Sequence, residues 1–455
     1  MFVLKCVAKV MLISFTLKNW LSFKEESTFS MVASYERQHN EHVAVIKKFP
    51  LKVLPISAIY GGNASGKSNL IKGLSFVKEF VINGLAPEVP IPVTPYRPVP
   101  SGKNEPSSFS VSMLIDENIY EYSFCITTME VITEQLTVAN SSSEKILFKR
   151  DKNKIFLGDN IKKNRLTLEF IAKTTRKNFL FLTNTVWQNI ATFKHVYDWF
   201  KDKLQIVFPN SKFILQNALI GKNNPFAQQV SNMLQKLGTG IDHLDGNEVP
   251  IESLDISDEV LTKIQSSLIP DKVIVYKDLN NIFYFIYKEK ETIKAKRIVS
   301  VHKVNNVLTT FNLSEESDGN LRAIDLIPAF LILASDDNDK VFVIDELDRS
   351  LHTKLTDKLI SFYLESCNEN KRSQLIFTTH DVMLMSQENM RRDEIWLVER
   401  DHNQTSSIFP ISDFTEIRSD KNIRKSYLEG RMGGIPNITG NVKLYDALNN
   451  EEQIY

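Results

Sequence analysis

The sequence has few of the residues that define several common protein classes. Only three of its 455 residues are cysteines, Cys6, Cys125 and Cys367, which are too few and too scattered for a disulfide framework or a zinc site built from them. Its 55 Lys and Arg are matched by 55 Asp and Glu, which argues against a uniformly basic surface for nucleic acid or a polybasic membrane anchor. The cysteine usage is typical of a reducing compartment, so we predict a cytoplasmic protein.

Long apolar segments are also missing. The longest candidate for a membrane span, Leu321–Ala334, is too short to cross a bilayer and carries Arg322 and Asp325. It therefore predicts a buried helix, and no membrane partner is expected. The apolar start of the chain is interrupted by Lys5 and Lys9 and has no clear cleavage site, so a signal peptide is not expected.

The residues that are present predict a folded protein. Hydrophobic residues make up 42% of the chain, and its length allows about two or three domains, or one core with a large insertion. Charge is unevenly distributed: Lys145–Lys177 holds eleven Lys and Arg with three acids, whereas Asp242–Glu259 holds seven acids and no Lys or Arg. These two segments are either solvated faces or contact surfaces for phosphates or a partner protein.

The strongest motif is GGNASGKS at 61–68, which matches the P-loop pattern GxxxxGK[ST]. It lies between a predicted strand, Val53–Tyr60, and a predicted helix, Asn69–Val81. The glycines allow backbone N–H groups to surround phosphate oxygens, and the helix directs its positive end at the same phosphates. We expect Lys67 to reach the β- and γ-phosphates of ATP and the Ser68 hydroxyl to bind Mg²⁺. The predicted binding residues are Gly61, Asn63, Ser65, Gly66, Lys67, Ser68 and Asn69.

Two carboxylates follow a short apolar segment late in the chain. Val341–Ile344 predicts a buried strand of a parallel sheet, and Asp345 and Glu346 come directly after it. Alone, this pattern is typical of any strand end with solvated acids. Together with a P-loop it predicts Asp345 as a Mg²⁺ ligand, directly or through water, and Glu346 as the group that polarises the attacking water.

Two further segments belong to the predicted site. The strand Gln374–His380 brings His380 to the edge where parallel sheets bind ligands, so we expect this histidine to contact the γ-phosphate. The segment 314–320 (SEESDGN) precedes a predicted helix, Leu321–Leu333. Serine and glycine at a helix start suit phosphate binding, although a simple helix cap explains them equally well.

The middle of the chain predicts a mixture of helices and strands. Val186–Phe208 has the spacing of one amphipathic helix, and Phe226–Leu237 and Asp258–Leu268 predict two more. Residues 272–276 and 282–287 predict a hairpin. Because no heptad repeat is sustained, any projecting arm should be short rather than a long coiled coil.

The order of these motifs resembles that of ABC-type ATPases of the SMC/RecF/OLD group. It is more closely similar to the small bacterial ATPases of that group in phage-defence operons, including abortive-infection ATPases. Both ends of the chain share the resemblance, and the middle third matches only loosely. The segments that carry it are 18–23, 60–70, 314–319, 344–352, 375–381, 427–431 and 433–436.

The resemblance implies an α/β fold with an ABC-type P-loop ATPase head built from both chain ends. Residues 1–180 and 301–455 would form this head, and residues 181–300 would form a mixed helical and strand insertion. It also implies ATP and Mg²⁺ as ligands and a homodimer or higher homo-oligomer.

The resemblance assigns roles to three further segments. Ser317 and Gly319 are similar to the signature motif, which caps the nucleotide of the opposite subunit. Ser350–His352 is similar to the D-loop, and His380 to the switch histidine. The sequence departs from the pattern because the LSGGQ signature is absent and no glutamine between residues 70 and 134 can serve as the Q-loop residue. Slow hydrolysis, or a clamp that mostly holds ATP, is therefore expected.

Three functions agree with these features. The leading hypothesis is an ATPase scaffold or sensor in phage defence that controls a separate effector, either a nuclease or a toxin, with a nucleic acid or a phage protein as a further partner. An OLD-like nuclease is a second, but the 75 residues after His380 are too few for the nuclease domain that such proteins carry. A RecF-like DNA-repair clamp is the third, and the basic segment 145–177 supports it weakly.

Overall fold

A computed structural model of the chain shows an α/β protein with three main β-sheets. The structure describes residues 9–97, 105–141, 143–210, 224–268, 273–279, 282–289, 292–336, 338–414 and 423–434. In chain order the strands are β1 (Val10–Lys18), β2 (Ser27–Ser30), β3 (Ala44–Ile46), β4 (Leu51–Val53), β5 (Ile56–Tyr60), β6 (Ser107–Ile115), β7 (Asn118–Ile126), β8 (Val131–Asn140), β9 (Ser143–Asp151), β10 (Lys154–Leu157), β11 (Leu204–Val207), β12 (Ile241–Val249), β13 (Val273–Lys277), β14 (Phe283–Glu289), β15 (Thr292–Val304), β16 (Val307–Asn312), β17 (Val341–Ile344), β18 (Gln374–Thr378), β19 (Ile395–Arg400) and β20 (Ser406–Pro410).

The helices are spread along the whole chain. They are α1 (Lys67–Asn83), α2 (Arg165–Thr174), α3 (Phe181–Trp187), α4 (Lys194–Asp198), α5 (Pro225–Lys236), α6 (Asp258–Ser267), α7 (Asp318–Ala334), α8 (Thr353–Glu365) and α9 (Ile423–Leu428). None of the helices within the described ranges is both long and apolar enough to span a bilayer.

The six-stranded sheet positions the predicted site. Its order is β11-β17-β18-β5-β19-β20, and every pair is parallel except β19 with β20. β17 reads VFVI because both faces of the sheet are covered: Val341 and Val343 face one hydrophobic core, and Phe342 and Ile344 face another. The P-loop, the paired carboxylates and His380 follow β5, β17 and β18. Since these strands are parallel neighbours, the three motifs meet at one edge.

The two other sheets are antiparallel. The seven-stranded sheet, ordered β10-β9-β8-β7-β6-β1-β2, shares one core with α1 and one face of the parallel sheet. The third sheet contains β12 to β16 and, together with α5 and α6, forms a region of residues 225–312 that we call the arm. The arm has a small core of its own, formed by Leu254, Ile264, Leu268, Tyr284, Ile286 and Ala295.

One prediction from the middle of the chain is wrong. Val186–Phe208 is not a single helix: α3, a 3-10 turn, α4 and a π-helical turn precede the strand β11. β11 pairs in parallel with β17, residue by residue from Leu204–Val341 to Val207–Ile344. This pairing buries the apolar end of the segment in the sheet, so tertiary contacts override its helical spacing.

The predicted domain boundaries stay a prediction. Both ends of the chain contribute strands to the parallel sheet, as the resemblance implies. β11 lies in the predicted insertion 181–300 yet forms part of the same sheet, whereas the arm begins at Pro225.

Candidate nucleotide site

The P-loop backbone is shaped by two glycines with positive φ. Gly61 has φ 155° and Gly66 has φ 119°, values that other residues rarely adopt. A Cβ atom on Gly61 would lie 2.4 Å from the carbonyl oxygen of Val398, and one on Gly66 would lie 2.4 Å from Ser406 Oγ. Glycine is therefore required at both positions, and the turn delivers the chain into α1 at Lys67.

Lys67 is buried against the loop that precedes it. Its Nζ donates hydrogen bonds to the carbonyl oxygens of Gly61, at 2.7 Å, and Gly62, at 3.1 Å. Burial lowers the pKa of Lys67 to about 8, although the nearby carboxylates of Asp345 and Glu346 act in the opposite direction. A cation held in this way is ready to exchange two carbonyl oxygens for the phosphate oxygens of a ligand.

A chain of hydrogen bonds joins the P-loop helix to the Asp345 carboxylate and to the backbone of Glu346. Ser68 Oγ donates to Asp345 Oδ1 at 3.2 Å, and Thr378 Oγ1 donates to the same oxygen at 2.6 Å. The backbone N–H of Glu346 in turn donates to Thr378 Oγ1 at 2.7 Å. Thr378 is a site residue that the sequence reasoning missed, and its only signal is its place two residues before His380 on a buried strand.

Glu346 stands in an unusual backbone conformation. Its φ is 52°, in the left-handed region, where a non-glycine residue costs of the order of 1 kcal/mol or more. The buried side chain of Arg322, on α7, donates from Nη2 to the carbonyl oxygen of Glu346 at 3.2 Å. Arg349 Nη1 lies 3.9 Å from the carboxylate. The Arg322 bond holds the backbone of Glu346 at the sheet edge, where its side chain is 36% exposed.

His380 follows β18 and its side chain is exposed at the same edge. Partial desolvation and the positive charge of Lys67 lower the pKa of His380, which favours the neutral imidazole at neutral pH. A neutral imidazole can either donate or accept a hydrogen bond, as a contact to a phosphate or a water requires.

Three residues brace the P-loop from outside. Ser406 Oγ donates to the carbonyl oxygen of Ser65 at 2.5 Å and accepts from Ser22 Oγ at 2.7 Å. Asn69, predicted as a binding residue, turns its amide group to Ser22 Oγ at 2.9 Å. Asn69 is therefore engaged with the segment 18–23, whose sequence contributed to the resemblance.

The residues at this edge fit a nucleoside triphosphate and Mg²⁺. Ser65 Oγ is buried and has no hydrogen-bond partner among the described residues, so it is an unused donor inside the P-loop. Asn63 is exposed at the mouth of the loop. Ser68 and Asp345 present the hydroxyl and carboxylate oxygens that Mg²⁺ prefers.

The predicted signature residues lie at the start of α7. Ser317 is exposed, and its Oγ caps the helix by accepting from the backbone N–H of Asn320 at 3.2 Å. A Cβ atom on Gly319 would lie 2.9 Å from the carbonyl oxygen of Ser350, so α7 approaches the predicted D-loop closely. The described contacts of Ser317 and Gly319 are with these segments, whereas Lys67, Ser68, Asp345 and Glu346 gather at the sheet edge.

The solved structures to which the chain is similar include an SMC head domain from Thermotoga maritima (14% identity, TM-score 0.35) and an SMC head bound to the C-winged helix domain of ScpA (13% identity, TM-score 0.38). Each alignment covers 88% of this chain and 98% of the other.

The family comparison extends over most of the chain. No curated protein matches the sequence. The family described as "AAA domain, putative AbiEii toxin, Type IV TA system" matches residues 56–386, a range that contains the P-loop, both carboxylates and His380. Because the match spans well over half of the sequence, the chain belongs to this AAA-domain family.

Proposed function

We propose that the protein binds ATP with Mg²⁺, hydrolyses it slowly, and uses the nucleotide to control a separate effector protein in defence against phage. The observation that carries the proposal is the hydrogen-bonded chain from Ser68 through Asp345 and Thr378 to the backbone N–H of Glu346. It brings together Ser68 and Asp345, which are 277 residues apart in sequence, as a hydroxyl and a carboxylate for Mg²⁺, and it fixes the backbone that carries the Glu346 carboxylate.

Each residue has a distinct task in this proposal. Lys67 exchanges its two carbonyl partners for phosphate oxygens, and Ser68 with Asp345 would hold Mg²⁺. The metal, when bound, neutralises charge on the phosphates. Glu346 orients and polarises a water molecule, and His380, neutral at pH 7, positions the terminal phosphate.

One feature of the sequence supports slow turnover. An acidic residue, Asp318, directly follows Ser317 in the predicted signature, where the LSGGQ motif has none. As a helix cap, the Ser317 oxygen accepts from the backbone N–H of Asn320, so the hydroxyl hydrogen is available to donate to a phosphate oxygen of a nucleotide on a second subunit.

We propose that ATP holds two chains together with the start of α7 of one chain facing the P-loop of the other. Ser317 is exposed and lies at the N-terminal end of a 17-residue helix, where anions are favoured. The contact between Gly319 and the Ser350 segment joins the two surfaces that this arrangement would bring to the partner.

A control function is tested by examining the chain with and without a partner. The family description names a toxin of a toxin–antitoxin system, which supports a role in growth arrest or defence. We expect the purified chain alone neither to cleave DNA or RNA nor to harm a host cell, and toxicity to require a co-expressed partner and intact Lys67 and Glu346. Nuclease activity of the lone chain that survives both Glu346→Gln and repurification would favour the OLD-like nuclease instead.

A DNA clamp is the second candidate because of one surface. The basic segment 145–177 exposes four large apolar side chains, Ile146 (46% exposed), Phe156 (58%), Leu166 (83%) and Phe170 (67%). Aromatic rings among lysines are typical of surfaces that bind single-stranded nucleic acid. ATPase activity that rises on adding DNA and falls back in Phe170→Ala would support this function; activity indifferent to DNA would exclude it.

A further inference from the structure

A second cluster of metal-binding side chains lies outside the nucleotide site. His39, Glu41 and His42 stand together in the loop between β2 and β3. One ligand atom of each of the three lies within 4.8 Å of a ligand atom of the other two. His39 Nδ1 is 3.5 Å from Glu41 Oε1, and the two imidazole rings are stacked with centroids 5.6 Å apart.

The outer nitrogens of both histidines already have partners. His39 Nε2 lies 2.9 Å from the carbonyl oxygen of Gln387. A carbonyl oxygen can only accept, so His39 Nε2 carries the hydrogen and Nδ1 keeps its lone pair. His42 Nε2 lies 3.1 Å from Oε1 of the buried Glu394. Metal-binding histidines are oriented in this way, with one nitrogen donating to a carbonyl or carboxylate and the other left for the ion.

The loop that carries the cluster is fixed before any ion arrives. The fully buried guanidinium of Arg391 donates to the carbonyl oxygen of Gln38 and to Asn40 Oδ1, both at 2.9 Å. Asp393 pairs with Arg391 at 2.7 Å and also accepts from the Ser34 hydroxyl at 2.7 Å. The ligands are therefore held by neighbours on both sides, which lowers the entropy lost on binding.

We propose that His39 Nδ1, Glu41 and His42 Nδ1 bind one Zn²⁺ ion, with water as the fourth ligand. Two ligands of tetrahedral Zn²⁺ stand roughly 3.4 Å apart, close to the distance from His39 Nδ1 to Glu41 Oε1. Two imidazoles and one carboxylate suit Zn²⁺ better than Mg²⁺ or Ca²⁺, which prefer oxygen ligands alone. The ion would cross-link three side chains of this loop, whose two histidines also hydrogen-bond Gln387 and Glu394.

The test is a metal titration of the full chain, stripped with a chelator and kept free of nucleotide. We expect one Zn²⁺ per chain by calorimetry, and the absorption bands of a tetrahedral site when Co²⁺ is used instead. Glu41 is exposed and His39 partly exposed, so His39→Ala and Glu41→Gln should fold and should weaken Zn²⁺ binding by at least about 10-fold. Glu394→Gln should weaken it by about 10- to 100-fold.

Two control variants separate this site from other histidines and from the P-loop. His402→Ala removes an exposed histidine from a turn elsewhere and should leave Zn²⁺ affinity unchanged. Lys67→Ala should also leave it unchanged, so loss of nucleotide binding and loss of zinc binding are distinguishable. The proposal is overturned if the stripped chain binds no Zn²⁺ at micromolar concentration, or if the double variant His39→Ala/Glu41→Gln binds it as tightly as the parent.

Discussion

Two well-buried carboxylates, Asp345 in the candidate nucleotide site and Glu316 between α7 and the arm, differ in their hydrogen-bond partners. Asp345 accepts from two neutral hydroxyls on one oxygen, and the structure describes no ion pair for it. Glu316 accepts from Ser300 at 2.5 Å, His302 at 2.6 Å and Asn320 at 2.7 Å, so both of its oxygens are used.

Asp345 is therefore available to bind a ligand, whereas Glu316 has a structural role. Oδ2 of Asp345 keeps free lone pairs at a sheet edge where phosphates are expected, so a cation can complete its shell. Both oxygens of the Glu316 carboxylate have hydrogen-bond partners. These bonds tie the segment just before Ser317 to the arm strand β15. The carboxylate of Glu316 is therefore directed away from the predicted phosphate site and towards the arm.

The largest effect should come from removing the carboxylate that orients water. Glu346→Gln should retain ATP binding, because Lys67, Ser68 and Asp345 are untouched, while turnover falls by about 10²- to 10⁴-fold. Phosphate release and nucleotide binding measured on the same preparation check this. Glu365→Gln, an exposed change at the end of α8, is the matched control, and parental turnover in Glu346→Gln would remove this carboxylate from the mechanism.

Thr378 tests whether the site depends on the hydrogen-bonded chain. Thr378→Val keeps the shape but leaves Asp345 and the N–H of Glu346 each short of a partner, so we expect a loss of about 1–3 kcal/mol in the free energy of unfolding and slower turnover. Thr356→Val is the control, since the buried Thr356 hydroxyl has no described partner and its loss should be neutral or slightly stabilising. Equal effects of the two changes, measured by urea unfolding, would contradict the account.

A substitution of Glu316 tests whether its hydrogen bonds stabilise the fold. Burial would raise its pKa, but hydrogen bonds from Asn320, Ser300 and His302 together lower the pKa below the ordinary 4.5. The ionised carboxylate therefore stabilises the fold above pH 4.5, and this contribution is lost as the pH falls through the lowered pKa. Glu316→Gln should cost about 1 kcal/mol at pH 7.

The pH dependence distinguishes this role from a simple loss of packing. The difference in unfolding free energy between Glu316→Gln and the parent should shrink as the pH falls below 4.5. Glu252→Gln, on an exposed turn of the arm, should show no such dependence. A pH-independent difference would show that the charge of Glu316 does not contribute.

The smallest expected effect is the uptake of a proton when nucleotide binds. With its pKa near 8, Lys67 is largely neutral above that pH, and the negative phosphates of a nucleotide favour its charged form. Nucleotide binding should therefore take up close to one proton at about pH 9 and almost none at about pH 6, and affinity should decline as the pH rises through 8. Calorimetry in buffers of different ionisation enthalpy measures the uptake, and Lys67→Met should abolish it.

The strands and the helix that carry the candidate site could be predicted from the sequence because their signals are local. The P-loop, the strand VFVI and the strand before His380 lie where they were predicted, as β5 followed by α1, then β17 and β18. Each carries its signal within about ten residues, and parallel strands then bring their ends together.

Contacts between distant residues could not be predicted in the same way. Thr378, Ser22 and Ser406 have ordinary local surroundings, and they become site residues only when β18, β1 and β20 assemble around the P-loop. The prediction of one helix over Val186–Phe208 is wrong for the same reason, because residues near its end pair with β17 and form the strand β11. The arm's contact with Glu316 depends on Ser300 and His302, 16 and 14 residues away, which no periodic pattern indicates.

The most direct test of the central claim, a nucleotide site completed by a second chain, is to mix two inactive variants. Lys67→Ala removes the ammonium group that would contact the phosphates. Ser317→Arg places a bulky side chain on the surface that would cap the nucleotide of the other chain. Each homodimer should be inactive, whereas a mixed dimer retains one site with both parts intact. We predict about half of the parental ATPase activity per mixed dimer. No recovery, with the mixed dimer confirmed by mass, would contradict a shared site.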